Sequence, residues 1–245
     1  MNYDQKLANL RARKLRQTRD KIEREGVLDE DDYGRIVPPE GLWKIRPNHP
    51  DGSFYGFDAW TDNFCSLMAV HPVYVDPDDA FAGRWMYFMS KMRPNKWNPA
   101  YPYDHLKADI ARYDIICGIG DDAHFAPDYR MGLELGWGGI LRKLEHYRAQ
   151  NGPETREFYD SEIAVVKAII NFLHRISYQL AEFALIERNP VLKKNLEEMA
   201  DINFRMTDGG PATMREAIQW MCHFSMLSRL YNRGSAGGQL DQLLL

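Results

Sequence analysis

Apolar residues recur three or four apart in several stretches of this chain and lose that rhythm between them. From about residue 3 to 24, Leu7, Leu10, Leu15 and Ile22 stand among many charges. That spacing predicts a surface helix stopped by Gly26. Residues 37–102 read differently, with prolines at 38, 39, 47, 50, 72, 77, 94, 99 and 102 among aromatic side chains. Proline density predicts long ordered loops there. Trp43, Phe54, Phe57, Trp60, Phe64 and Phe81 are expected to pin those loops to a neighbouring surface.

Helical patterning is firmer after Pro102. A helix is expected to begin near Asp104, and the apolar run at 114–118 is either a buried strand or the end of that helix, because its length fits both. A second helix is expected from about Pro127 to Ala149, stopped at Asn151 and Gly152. It carries Gly132, Gly136, Gly138 and Gly139 at a propensity cost of about 1 kcal/mol each, which close backbone packing would explain. Tyr159, Ile163, Val166, Ile170, Leu173, Ile176, Leu180 and Ala184 mark a long helix from about Glu157 to Ile186. Val165, Ile169, Phe172, Phe183 and Leu185 occupy its other faces, so burial on most sides is expected. Asn189 and Pro190 open a further helix to about Met199, as a cap and a first-turn proline. Thr213 and Glu216 have capping-box spacing ahead of a last helix to about Tyr231.

Composition narrows the functions. The chain has 245 residues, 44% of them hydrophobic, enough to bury a substantial core. Lys and Arg number 31 against 35 Asp and Glu, a net charge of -4 that gives no global attraction to nucleic acid or to an anionic membrane. Cys65, Cys117 and Cys222 are widely spaced and odd in number, against a disulfide framework or a CxxC zinc site, and all three are expected to be buried. The first 21 residues lack the apolar core of a signal peptide, and no apolar run reaches the roughly 20 residues that span a bilayer. A cytoplasmic protein without nucleic-acid or membrane partners is expected.

Three stretches, DAHFAPDYRMGLELGWGGI (residues 122–140), FYDSEIAVVKAIINFLHRISYQLAEFA (residues 158–184) and PATMREAIQWMCHFSMLSRL with the later GSAGGQLDQLL, taken in order, resemble the N-terminal half of glycyl radical enzymes of the pyruvate formate-lyase family. Residues 122–140, DAHFAPDYRMGLELGWGGI, are similar to the family's His, two residues, Pro-Asp-Tyr segment and the glycine-containing helix after it. Residues 158–184 resemble its long helix that opens Phe-Tyr and carries an Arg partway along. PATMREAIQWMCHFSMLSRL and the later GSAGGQLDQLL resemble its Pro-x-Thr-Phe-x-Glu-Ala-Leu-Gln helix and Ser-x-Gly-Arg-x-Asp-Gln turn. AFAGRW, residues 80–85, is a weaker echo of a Leu-Ile-x-Gly-Asn segment.

This resemblance implies a mainly α fold with a few short strands: an N-terminal helical region and part of a half-barrel of the family's ten-stranded α/β barrel. Residues 1–245 would form a single partial domain, with an N-terminal helix and Pro/aromatic-rich loops over 1–102 and the helical half-barrel part over 103–245. It further implies chemistry in which a C-terminal glycyl radical, installed by a radical S-adenosylmethionine activating enzyme, makes a thiyl radical on a cysteine. The complete enzyme would cleave a C–C or C–X bond in a small molecule without oxygen. The family's cysteine stands two residues before a Glu, but Cys65 precedes Ser-Leu, Cys117 precedes Gly-Ile and Cys222 precedes His-Phe. The Arg-Val-x-Gly loop is absent too. No catalytic residue and no bound cofactor is therefore assigned.

Two residues are carried over as substrate-binding. His124 matches the motif His that points into the pocket, and imidazole can hydrogen-bond a hydroxyl or carboxylate near neutral pH. Capping of the helix after Pro127 is its other reading. Ser235 adjoins Ala236, where the family's Ser falls, and Gln239 stands at the family's Arg while Asp241 and Gln242 are kept. Asp121, Asp122 and Asp128 suit a helix N-terminus better than a metal, so no metal is expected. Tyr159, Arg175 and Trp220 are assigned to packing or helix bonding. The reading is a truncated or split glycyl radical enzyme, a lyase or transferase by family, inactive until a complementary C-terminal polypeptide supplies the cysteine and glycine, with a homodimer admitted. A non-enzymatic helical module that docks a partner through an exposed apolar face is the alternative. A hydrolase using His124 with Asp121 or Asp128 is a third reading.

Overall fold

The computed structural model describes residues 2–25, 40–83, 104–114 and 127–228. Seven α-helices are found among them: α1 (Tyr3–Glu25), α2 (Phe57–Val70), α3 (Lys107–Arg112), α4 (Tyr129–Gln150), α5 (Arg156–Ile186), α6 (Pro190–Arg205) and α7 (Met214–Ser228). No strand occurs among the described residues. The expected short strands and half-barrel are thus not seen there, and of the 114–118 run only Asp114 is described, with a left-handed φ of 48° after α3.

α5 organises the core. Val166, Ile169, Phe172, Leu173, Ile176, Leu180 and Ala184 are buried on it, and α2, α4 and α6 pack around it. Each Val, Ile, Leu or Phe side chain so placed is worth about 1.5–3 kcal/mol of burial. The expected burial on most sides does not extend to the C-terminal end of α5, where Leu185 and Ile186 are 79% and 75% exposed. The Ser177 hydroxyl donates to the Ala200 carbonyl at 2.8 Å and ties α5 to α6.

Helix ends follow the local chemistry. The Asn189 side chain accepts from the Val191 N–H at 3.0 Å, with Pro190 in the first turn. α6 then continues to Arg205 rather than stopping near Met199, since Ile202 and the fully buried Asn203 remain on its inner face. Glu216 accepts from the Thr213 N–H at 3.0 Å while the Glu216 N–H donates to the Thr213 hydroxyl at 3.3 Å, a reciprocal capping box.

One expectation fails outright. α2 lies inside the stretch read as loops, because no proline falls between Pro50 and Pro72 and Trp60, Phe64, Leu67 and Met68 return at helical spacing. Aromatic pinning holds for Trp43, Phe54 and Phe64, which are buried, whereas Phe57 is exposed.

The glycines of α4 act as the sequence suggested. Gly136 (φ 62°, ψ -178°) breaks the helix with a left-handed residue, and the Trp137 N–H then donates to the Met206 carbonyl at 3.3 Å. A Cβ on Gly138 would stand 2.6 Å from the Thr207 carbonyl oxygen, and one on Gly132 would enter the Trp220 ring. α1 is mostly exposed and docks through Asn9 and Arg13 onto Asp78 and the buried Asp76. No described helix is long and apolar enough to cross a membrane.

Candidate functional site

His124 and Ser235 lie outside the described residues, as do Cys117, Asp121, Asp122, Gln239 and Asp241. What the structure describes is the pair of helices that adjoin them in sequence. Five residues after His124, Tyr129 opens α4 as a buried side chain. Its ring meets Trp220 edge-on at 6.3 Å and Phe224 at 5.5 Å, both on α7, the helix that leads toward the Asp241-Gln242 turn. Trp137 also stacks on Trp220, their ring centroids 5.2 Å apart. The two helices that flank the sequence-assigned segments are therefore packed together through aromatic rings.

Asp128 caps α4, its Oδ1 accepting from the Met131 N–H at 3.4 Å, so this carboxylate serves the helix end. Among the described residues no group of three His, Cys, Asp or Glu side chains could hold a metal ion. The cysteines depart from expectation: Cys222 is exposed, and Cys65 is half-buried with its thiol donating to the Ala164 carbonyl at 3.6 Å. Burial, with help from the Asp62 charge, pushes the Cys65 thiol up, away from the reactive thiolate.

A second feature was missed from sequence. Residues 76–83, which enter the AFAGRW segment, form a strap whose backbone is held by side chains. Asn195 donates to the Pro77 and Asp79 carbonyls at 2.9 and 2.7 Å. Arg215 donates to the Ala80 carbonyl at 3.0 Å. Gln219 closes a two-point grip on Ala82, accepting from its N–H at 2.7 Å and donating to its carbonyl at 3.0 Å.

That grip fixes the amide orientation of Gln219, so its Nε2 donates to His223 Nε2 at 3.0 Å and the His223 proton sits on Nδ1. His223 is fully buried, and desolvation pushes its pKa down to about 3. The signal for this pair was present: Gln219, His223 and Met226 fall four and three apart, the inner face of α7.

Arg175 performs the helix bonding assigned to it. Its guanidinium donates to the Met68, Ala69 and His71 carbonyls at 2.8, 2.9 and 2.6 Å, closing the C-terminus of α2. Buried His71 packs edge-on against Phe172 at 5.1 Å. Desolvation, aided by the Arg175 charge and opposed by the Pro72 carbonyl, pushes its pKa down to about 4.

The described surface carries clefts away from the α4–α7 pair. One of about 430 Å³ is lined by Val75, Pro77, Phe183, Ile186 and Leu196 with Glu187 and Arg188. Another, about 380 Å³, is acidic, lined by Asp58, Asp62, Glu157 and Asp160 with Thr61 and Ser161. Neither lies in the aromatic joint between α4 and α7.

This helical arrangement is that of glycyl radical enzymes. It is similar to the glycerol-bound, B12-independent glycerol dehydratase of Clostridium butyricum (TM-score 0.61, 15% identity, 77% of this chain and 31% of that one). A glycyl radical enzyme from Archaeoglobus fulgidus is similar as well (TM-score 0.58, 18% identity, 77% and 31%). In sequence the chain is 30% identical over 125 residues to isethionate sulfite-lyase of Oleidesulfovibrio alaskensis, covering 47% of this chain and 15% of that protein. It is 30% identical over 131 residues to (2S)-3-sulfopropanediol dehydratase of Klebsiella oxytoca, covering 49% and 16%. Residues 96–245 match the family described as pyruvate formate lyase-like, and the chain belongs to that family, as an N-terminal part of a glycyl radical enzyme. It spans about a sixth of the length of these curated relatives and under a third of the solved ones.

Proposed function

We propose that these 245 residues form the helical side of a substrate site in a radical dehydratase or lyase that breaks a C–O, C–S or C–C bond of a small molecule. The thiyl cysteine and the glycyl loop are supplied by residues outside the 245, on the same or another polypeptide, and a radical S-adenosylmethionine activating enzyme installs the glycyl radical. By themselves the 245 residues carry no radical chemistry, since no cysteine here has a Glu two residues on. Cytoplasmic, anaerobic operation belongs to the same reading.

The observation that carries it is the aromatic joint of Tyr129 with Trp220 and Phe224 inside the matched stretch, which sets the helix after His124 beside the helix before Ser235. Relatives named for sulfonate and polyol substrates point to a small molecule bearing a hydroxyl next to the bond that breaks. The role of this chain is binding and orientation: His124 hydrogen-bonds the substrate hydroxyl, Ser235 supplies a second contact, and the packed helices keep water from the radical. No fixed guanidinium fork stands at Gln239, so an anionic substrate group would need another partner.

The test is His124→Ala in the activated enzyme, with glycerol and isethionate as substrates. Turnover is expected to fall by about 100-fold or more while the glycyl radical signal stays. Unchanged turnover of whichever substrate is used would remove His124 from the site. A non-enzymatic docking module is the second reading, favoured by the exposed Phe183, Leu185 and Ile186 at the end of α5. It predicts a stable complex with a partner lacking the cysteine and glycine loops, and no turnover in any combination.

A further inference from the structure

The strap at residues 76–83 is held by two groups of helices, and the holds differ in kind. Asn195 on α6, with Arg215 and Gln219 on α7, takes its backbone, and the Gly83 N–H donates to the Tyr74 carbonyl at 3.1 Å and closes its base. Those partners belong to the helical core. α1 instead takes the strap's side chains. Asn9 donates to one oxygen of the Asp78 carboxylate at 3.3 Å and Arg13 to the other at 3.2 Å, while Arg13 also pairs with Asp76.

Apolar burial contributes little to the docking of α1. None of its described residues is buried, and Lys6, Leu10, Arg13 and Gln17, four, three and four apart, are half-buried along one face. A helix held in this way depends on its polar contacts. Asp78 and Asp76, by contrast, are 6% and 2% exposed. When α1 leaves, these buried carboxylates lose the Arg13 cation, a costly loss in surroundings that water does not reach. The strap relieves that cost by turning its acidic side chains out into water.

We propose that α1 is a latch: it detaches while the helical core stays folded, and its release opens the strap, so that docking of α1 and closure of residues 76–83 are one equilibrium. The coupling is reciprocal, and loosening the strap on its core side releases α1. Pro77 lines the cleft of about 430 Å³ beside Phe183 and Leu196, so the latch also sets one wall of that cleft. None of these residues is assigned to substrate or radical chemistry, and the device stands or falls separately from the proposed activity.

Amide hydrogen exchange on the full 245-residue chain, followed residue by residue in low urea, is the test. Ala82 and Gly83 are expected to exchange about 100-fold or more faster than the fully buried Leu173 and Ile176 of α5, with a shallower dependence on urea, the mark of an opening smaller than global unfolding. Arg13→Met is expected to speed exchange at Ala82 and Gly83 by about tenfold or more, and Arg13→Lys, which keeps the charge, to recover most of the protection. In an Asp76→Asn/Asp78→Asn chain the same Arg13→Met change is expected to shift those amides by under about threefold, since carboxamides need no cation. From the other end, Gln219→Leu is expected to speed trypsin cleavage after Lys14 and Arg16 by about tenfold, because a released α1 has no buried face and unwinds. Exchange of Ala82 and Gly83 only together with α5, exchange that ignores Arg13→Met, or α1 cleavage unchanged by Gln219→Leu would overturn the proposal.

Discussion

Replacing a helical glycine with alanine ordinarily stabilises a helix by about 1 kcal/mol, and the structure reverses that sign at Gly138. An added Cβ there would stand 2.6 Å from the Thr207 carbonyl oxygen and 2.7 Å from the Asp208 carbonyl carbon, against a usual carbon–oxygen contact of about 3.3 Å. Both neighbours are backbone, so no rotamer change relieves the overlap. The loop they belong to is tied down: Arg142 donates to the Asp208 carbonyl at 2.8 Å and to its carboxylate at 2.9 Å, and the Trp137 N–H holds the Met206 carbonyl at 3.3 Å. Overpacking costs about 1–3 kcal/mol and loosening those hydrogen bonds about 0.5–1.5 kcal/mol each. After the helix gain is subtracted, Gly138→Ala should destabilise by about 2–3 kcal/mol. Gly209, in the same loop, has nothing within 4 Å of an added Cβ, and Gly209→Ala should be neutral or gain up to about 1 kcal/mol. Urea denaturation at 25 °C separates them, the midpoint of Gly138→Ala falling by about 1 M with the slope unchanged. Equal midpoints for the two variants would refute the close approach of the loop to α4.

Gln219→Leu leaves the Ala82 N–H and carbonyl without partners and should cost about 2–4 kcal/mol, with amide hydrogen exchange at Ala82 rising well above that of the α5 core. Arg175→Met removes the donors from three carbonyls at the end of α2 and should lower stability by about 2–4 kcal/mol, while Tyr178→Ala, exposed one turn on, should change it by under about 0.5 kcal/mol. His71 and His223 have folded pKa values of about 4 and 3 against 6.5 when unfolded, so below pH 6.5 the unfolded state binds protons that the folded state refuses. Their contribution is complete above about pH 6.5 and is lost as pH falls toward 4, with a slope of up to about 2.7 kcal/mol per pH unit for the two together. A melting temperature that stays flat from pH 7 to 4.5 would contradict that burial.

Strong periodicity made α5 legible, and chemistry at element ends made its successors legible: Asn189 and Pro190 start α6, and Thr213 with Glu216 starts α7. The α4 glycines announced a close backbone approach that the Thr207–Gly210 loop supplies. α2 was hidden because dense prolines on both sides signal loops, although Trp60, Phe64, Leu67 and Met68 between them form a full helical stripe. The exposed end of α5 was hidden because periodicity reports which residues are apolar and not where neighbouring helices stop. The grip of Gln219 on Ala82 joins residues 137 apart in sequence, a pairing that local spacing cannot reveal. His124 and Ser235, the assigned substrate contacts, came from the motif resemblance alone, while the Tyr129–Trp220–Phe224 joint that flanks them required coordinates.

The central claim is that this helical assembly is one wall of a radical site whose cysteine and glycine come from outside it. It is tested most directly by measuring substrate turnover, with the glycyl radical quantified by electron paramagnetic resonance, in an anaerobic reaction containing the activating enzyme and a polypeptide bearing the Cys-x-Glu and glycine loops, with and without the 245-residue chain. The account predicts turnover only when the chain is present. Equal turnover in its absence, or a glycyl radical formed on the chain alone, would contradict it.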